Sequence, residues 1–275
     1  MSTEKRVADH YTHGGLIAAI VAGLEKLGKT PQTVTIDDLA AVDEFHIGGR
    51  QASEDFLSRL GLTAASHVLD VGSGLGGPSR FTASRFGARV AGIDLTPEYV
   101  ETGRELNRWL GLDARIDLQQ ASALAMPFAD ASFDAAYMMH VGMNIADKKA
   151  LAAEVARVLK AGGPFGIYDV MRVGEGDLAF PVPWAASPET SALATPAAYR
   201  QALEAAGFRV THERNRRAFA LDFFEQMAAR TAAEGPAPLG IHVLMGETRA
   251  EKVKNMLANV KDGIIAPVEM IGVLG

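Results

Sequence analysis

Apolar and polar positions divide the chain into two regimes. Up to about residue 60 the apolar residues recur at helical spacing: Leu16, Ile17, Ile20, Val21, Leu24 and Leu27 fall on one helix face, and Gly28 stands where a C-cap belongs. A second helix is expected from about Gln51 to Leu60. Then the period shortens. The β-branched or apolar runs His67–Val71, Arg89–Asp94, Ile116–Gln120, Phe133–Met139 and Gly163–Asp169 read as strands, each separated from the next by a helix-length stretch. Five strands alternating with helices predict an α/β fold whose mostly parallel sheet is covered on both faces.

Beyond Asp169 the alternation loosens. Phe180–Pro188, rich in proline and small residues, reads as a loop over a site; Pro196–Ala206 reads as a helix ending at Gly207, and Phe208–Arg214 as a sixth strand. Two more helical patterns, Ala220–Ala233 and Thr248–Val260, precede a last β-like run, Ile264–Leu274. That run has no helix-length stretch directly beside it for a right-handed crossover, so it is expected to pair antiparallel with its neighbour.

Composition narrows the function classes. The formal charge is −6, with 27 basic and 33 acidic residues mixed along the chain, which leaves no basic footprint for a nucleic acid or an anionic membrane. The absence of cysteine removes disulfides, thiolate metal sites and cysteine nucleophiles, and fits a cytoplasmic location. Leu16–Leu24 follows Lys5 and Arg6 but lacks the marks of a signal peptide: Glu4, Asp9, His10 and His13 spoil a basic n-region, and Glu25 and Lys26 continue the helical pattern. No stretch is long and apolar enough to span a bilayer. The seven histidines show no zinc-type spacing, so no metal is expected. Oligomeric state is not legible.

The strongest constellation is the run from Val68 to Gly77, in which the apolar strand Val68-Leu-Asp-Val71 enters Gly72-Ser73-Gly74-Leu75-Gly76-Gly77 and opens a helix. Glycines let the backbone turn tightly and approach a ligand, and the helix N-terminus presents free N–H groups to an anion. Gly72, Gly74 and Gly77 also satisfy a dinucleotide-binding pattern, so the loop alone leaves a nicotinamide-dependent oxidoreductase open. Asp94 closes the next strand, where an acid accepts hydrogen bonds from both ribose hydroxyls. Its other reading is a cap for the helix Thr96–Leu110, a role for which Thr96 is already suited.

Four blocks carry a more specific signal: Leu69-Asp-Val-Gly-Ser-Gly-Leu-Gly-Gly-Pro78, Gly92-Ile-Asp-Leu95, Ala121-Ser-Ala-Leu-Ala-Met-Pro-Phe128 with Ser132-Phe-Asp134, and Glu154-Val-Ala-Arg-Val-Leu-Lys-Ala-Gly-Gly163. Together they resemble the class I S-adenosylmethionine-dependent methyltransferases, and among them the sarcosine/dimethylglycine and tocopherol/quinone group. The oxidoreductase alternative has no counterpart of the Ala121–Asp134 block. The resemblance implies a Rossmann-like, seven-stranded, mostly parallel sheet with an antiparallel last strand, N-terminal helices and a helical lid insertion. It implies one domain over 1–275: a helical cap at 1–60, a cofactor-binding core at 61–170, and an acceptor loop, lid and last two strands at 171–275. Residues Gly72, Ser73 and Gly74 are then expected to line the methionine part of the cofactor. Asp94 is expected to hold the ribose, and Leu95, Ala123 and Leu124 to flank the adenine. Ser122 stands where many members carry an aspartate that accepts from the adenine amino group; its hydroxyl is a weaker, neutral acceptor.

The same resemblance extends to Asp43-Glu-Phe-His-Ile-Gly-Gly-Arg50, where His46 and Arg50 are expected against the cofactor's carboxylate, and to Ala8-Asp-His-Tyr-Thr-His-Gly14, which brings Tyr11 to the same pocket. His140 ends the fourth strand, the edge at which open α/β sheets bind ligands; it reads as a general base, an orienting donor, or a residue that shapes the pocket through its backbone. Asn144 is a candidate for holding the acceptor. Trp184, in Pro181-Val-Pro-Trp184-Ala, reads either as an acceptor-facing aromatic or as lid core. Arg214, Arg216 and Arg217 read as a solvated edge or as an anion site. The expected reaction forms S-adenosylhomocysteine and methylates a small molecule, with an amine slightly favoured over a quinone- or phenol-like carbon or oxygen. A cofactor-binding protein without transfer activity is a third class.

Overall fold

The computed structural model describes residues 3–12, 14–246 and 248–275; His13, in the block around Tyr11, lies outside them. Four helices precede the sheet: α1 (Thr3–Tyr11), α2 (Leu16–Lys26), α3 (Ile36–Asp43) and α4 (Gly49–Leu57). The core follows as β1 (His67–Val71), α5 (Gly77–Phe86), β2 (Arg89–Asp94), α6 (Pro97–Trp109), β3 (Ile116–Gln120), β4 (Ala135–Met139), α7 (Lys148–Val158) and β5 (Pro164–Arg172). The chain ends with α8 (Pro196–Ala205), β6 (Phe208–Asn215), α9 (Arg217–Glu234), α10 (His242–Met245), α11 (Arg249–Lys261) and β7 (Ile265–Leu274).

The seven strands form one sheet in the order β3-β2-β1-β4-β5-β7-β6, and β7 runs antiparallel to both neighbours, as its position predicts. Burial along each strand follows from that order. The central strands β1, β4 and β5 are nearly continuous apolar runs because helices cover both faces. The edge strands β3 and β6 alternate buried and open positions. Pro267, which cannot donate to a ladder, pairs with Val170 of β5 beyond the last residue of β6, so its missing N–H leaves β6 pairing intact.

Two sequence expectations need correction. No helix separates β3 from β4: residues 121–134 cross over as an irregular turn closed by a Ser122–Ala125 bridge. The N-terminal cap also holds α3, which periodicity alone does not mark. A capping box starts it: Thr35 accepts the Asp38 amide at 3.2 Å while Asp38 accepts from Thr35.

The helices divide the interior into clusters. Leu16, Ile20, Leu24, Leu39 and Val42 pack the N-terminal cap against Tyr99 and Leu106 of α6. At the opposite side Phe224, Met256, Val260 and Trp184 form an apolar roof with Ile47 and Met143. N-terminal residues reach the carboxyl end of β4, where Tyr11 meets Asn144 and Ile47 meets His140, and the site lies there.

Candidate active site

The loop after β1 is tied to the end of β2. The amides of Gly72 and Ser73 both donate to the Ile93 carbonyl, at 2.8 and 2.9 Å. Gly72 has φ +74°, and a Cβ there would stand 2.4 Å from Val141, so only glycine lets the loop lie against the turn that follows β4. Gly77 serves a second close approach: a Cβ would fall 2.2 Å from the Asp43 carbonyl, so the start of α5 packs directly on the end of α3.

Asp94 completes this corner. Its carboxylate accepts from the Gly74 amide at 2.9 Å and from the Thr96 amide at 2.8 Å. Thr96 makes no side-chain cap, so Asp94 itself initiates α6, and the supposed redundancy of that role does not hold. Burial pushes the Asp94 pKa up, and these backbone amides oppose the shift. Each carboxylate oxygen retains acceptor capacity for a hydroxyl.

Three buried polar atoms near this corner have no partner: Ser73 Oγ, Tyr99 OH and Asn144 Oδ1. Buried polar atoms are rarely left unpaired without a ligand or water to satisfy them. Tyr99 lies beside Gly74, and the Tyr11 ring sits 5.9 Å from it. Tyr11 OH accepts from Asn144 Nδ2 at 3.2 Å, so the sequence-predicted Tyr11 and Asn144 meet directly.

Helix α1 lies across the cleft through this contact and two more. Ser122, just after β3, donates its hydroxyl to Glu4, and His10 Nε2 donates to the Pro183 carbonyl at 3.0 Å. Glu98 on α6 accepts the amides of Gly14 and Leu16, at 3.0 and 3.1 Å, and fixes the turn between α1 and α2. Glu4 and Glu98 escaped sequence reasoning as site residues because neither acid belongs to a motif of its own. Around Ser122, Ala123 is partly covered and Leu124 stays 37% exposed, an unusual position for a large apolar side chain here; Leu95 is partly buried.

Segment 43–50 is organised around Glu44, which is 2% exposed. Glu44 accepts Arg50 Nε and Ser53 Oγ, each at 2.6 Å, while His46 Nε2 approaches it at 3.5 Å and donates to the Gly49 carbonyl at 3.0 Å. The Arg50 guanidinium also pairs with Asp37 and lies over Phe81. His46 and Arg50, expected against a ligand carboxylate, thus serve a buried carboxylate of the protein itself. Glu44 was the missing signal, since an acid six residues before an arginine in a glycine-containing turn was not read as its partner.

His140 sits where the sequence puts it, with φ +55°. Its ring is fully engaged: Nδ1 donates to the Tyr168 carbonyl at 3.2 Å, and Nε2 accepts the Ile47 amide at 3.3 Å. Tyr168 OH donates to the Ile47 carbonyl at 2.8 Å, so both polar groups of Ile47 are gripped. Burial, with a smaller contribution from His46, pushes the His140 pKa down to about 3. A neutral ring whose lone pair is already used matches the pocket-shaping reading better than the basic one.

Two other candidates fall inside the protein. Trp184 is 3% exposed, donates to Ser191 Oγ at 3.0 Å and packs in the apolar roof, so its ring is lid core. Arg214 and Arg216 clamp the buried Glu269 of β7, and Arg217 donates to the carbonyls of Val260 and Lys261. Arg216 is buried while Arg214 and Arg217 stay partly open at the sheet edge, and all three guanidinium groups are taken up by acceptors of the protein itself. Among the described residues no group of three or more His, Asp or Glu side chains could hold a metal, and no helix is long and apolar enough to cross a membrane.

Comparison with known proteins agrees with the geometry. Residues 69–167 match the family described as methyltransferase domain. The chain is 32% identical over 174 residues to methyltransferase GfsG of Streptomyces halstedii, covering 63% of this chain and 60% of that protein. It is 31% identical over 143 residues to sarcosine/dimethylglycine N-methyltransferase of Halorhodospira halochloris, covering 52% of this chain and 51% of that one. The matches thus span about half to three fifths of these relatives. In fold it is similar to geranyl diphosphate C-methyltransferase from Streptomyces coelicolor A3(2), solved with Mg2+, geranyl diphosphate and S-adenosyl-L-homocysteine: TM-score 0.72, 17% identity, 100% of this chain and 98% of that one covered. Residues 69–167 therefore resemble a methyltransferase domain in sequence, and the described chain has the Rossmann-like fold of the class I S-adenosylmethionine-dependent methyltransferases.

Proposed function

We propose that this chain transfers a methyl group from S-adenosylmethionine to a small-molecule acceptor, releasing S-adenosylhomocysteine. The observation that carries the reading is the corner made by Gly72, Gly74 and Asp94, with the unpartnered Ser73 Oγ, Tyr99 OH and Asn144 Oδ1 near it. The groups present fit the cofactor: the unpartnered Ser73 hydroxyl suits its amino-acid end, Asp94 its ribose, and Leu95, Ala123 and Leu124 the faces of its adenine.

When bound, S-adenosylmethionine supplies both the electrophilic methyl and the leaving group, so the protein has chiefly to align the acceptor and exclude water. Tyr11 and Asn144 are suited to orient the acceptor, and α1 with the apolar roof to keep water out. His140 and Tyr168 act one step back by holding Ile47, and His46 and Arg50 by holding the Glu44 turn. One domain over 1–275, with its cap at 1–60 and lid within 171–275, is the organisation this division of labour requires.

Ile47, Met143, Val182, Phe224 and Met256 are buried against one another in the apolar roof, which suits them to closing the cleft over a small acceptor of any class. The amine that resemblance slightly favours loses the support of Trp184, whose ring packs within the roof. Turnover with labelled methyl donor over a set of prenyl-like, phenolic, quinol and amine acceptors tests this reading. Label in at least one of these small acceptors is expected; no label in any of them overturns the transfer reading and favours a non-catalytic binding protein.

A further inference from the structure

We infer that Glu4, on the N-terminal helix, supplies the carboxylate that reads the exocyclic amine of the cofactor's adenine. The inference rests on the S-adenosylmethionine reading above. In the sheet order β1, β2 and β3 are neighbours, with the glycine loop at the end of β1, Asp94 at the end of β2 and Ser122 just beyond β3. An adenosyl group whose ribose is held at Asp94 and whose amino-acid end lies at the loop must extend its base outward, toward the end of β3. Partly covered Ala123 and exposed Leu124 at that end suit the face of a purine. An adenine edge presents an N–H donor there and calls for an acceptor.

Ser122 is a poor one. Its hydroxyl proton goes to Glu4 Oε1, at 2.5 Å, and it accepts the Leu124 amide at 3.0 Å. The anionic acceptor at this position is Glu4, which reaches it from another element. Glu4 and Tyr11 are seven residues apart, two turns, so they share one face of α1. Tyr11 meets Asn144 after β4 while Glu4 meets Ser122 after β3. Nine helical residues span about 12 Å, close to the roughly 14 Å across three strand spacings. Helix α1 therefore bridges the outer strand to the inner one along the ligand's length, and its partly buried acid falls at the base. A carboxylate accepting an amine N–H also gains more than a neutral hydroxyl does.

The test is calorimetric binding of S-adenosylhomocysteine and of its 6-desamino analogue, in which hydrogen replaces the adenine amine. Wild type is expected to bind the analogue roughly ten- to a hundredfold more weakly. Glu4→Ala should bind both ligands about equally, Glu4→Gln should discriminate in between, and adding Ser122→Asp to Glu4→Ala should restore discrimination by placing a carboxylate on the other side of the same contact. Ser122→Ala alone should keep it. Equal binding of the two ligands by wild type, or discrimination that survives in Glu4→Ala, overturns the role of Glu4 and leaves the cofactor reading standing. Failure of wild type to bind S-adenosylhomocysteine at all overturns both.

Discussion

Asp94 accepts the backbone amide of Gly74 at 2.9 Å, which makes the acid at the end of β2 part of the loop that follows β1. The two are twenty residues apart in the chain and arrive together because β1 and β2 pair in parallel, with Val71 opposite Ile93. Asp94→Ala therefore removes a ribose acceptor and loosens the loop at once. The expected loss of S-adenosylhomocysteine affinity is about 1–3 kcal/mol, read by calorimetry on a variant that still melts cooperatively. Unchanged affinity would remove Asp94 from the site.

His140 gives a prediction about pH. With its pKa down near 3 and both nitrogens bonded, it stays neutral across the working range. His140→Ala should lower turnover by releasing Ile47, and the ratio of wild-type to variant kcat/KM should be constant between about pH 5 and 8. A wild-type limb in that window that disappears in the variant would make His140 a base after all.

How much of this was legible beforehand depended on whether chemistry was local. The first three strands read from the sequence end where β1, β2 and β3 end; Gly72 stops the first and Asp94 closes the second. The glycine loop and Asp94 were legible for the same reason, since their spacing is fixed within one βαβ unit. Glu44 and Glu4 were not. Glu4 acts on Ser122, 118 residues away, which only the tertiary fold brings near, and Glu44 meets Arg50 and Ser53, six and nine residues on, through a turn that no motif marks. Residue type left two readings open for Trp184, and burial selects lid core; for the arginines the missing signal was the buried acid Glu269, which lies on another strand.

Asp70, in the middle of β1, yields a stability prediction. It is buried, and burial pushes its pKa up from 3.8 to about 7 against the opposing bonds from Ser79 and Tyr137. A folded pKa above the unfolded one means a stabilising contribution that is complete below about pH 4 and lost as pH rises to about 7. Asp70→Asn removes this dependence. Its stability relative to wild type should therefore rise by roughly 2–4 kcal/mol between those limits, as followed by denaturant unfolding. A difference that stays flat with pH would show Asp70 to be ionised in the folded protein.

Glu269 tests the arginine clamp. The acid is buried and meets Arg214 at 2.9 Å and also Arg216, itself 5% exposed and stacked on Phe219. Glu269→Ala strands a buried guanidinium and should cost about 3–5 kcal/mol of stability, measured by urea unfolding. A solvated edge would make the same change nearly neutral, and such a result would contradict the clamp.

The central claim is that the corner of Gly72, Gly74 and Asp94 binds an adenosyl sulfonium cofactor and not a nicotinamide. Its most direct measurement is the melting temperature of the wild-type chain with S-adenosylhomocysteine, NAD or NADP. Ligand at a hundred times its dissociation constant stabilises the folded state by about 2.7 kcal/mol. A rise with S-adenosylhomocysteine and none with NAD or NADP is predicted; a rise with a nicotinamide cofactor alone would contradict it.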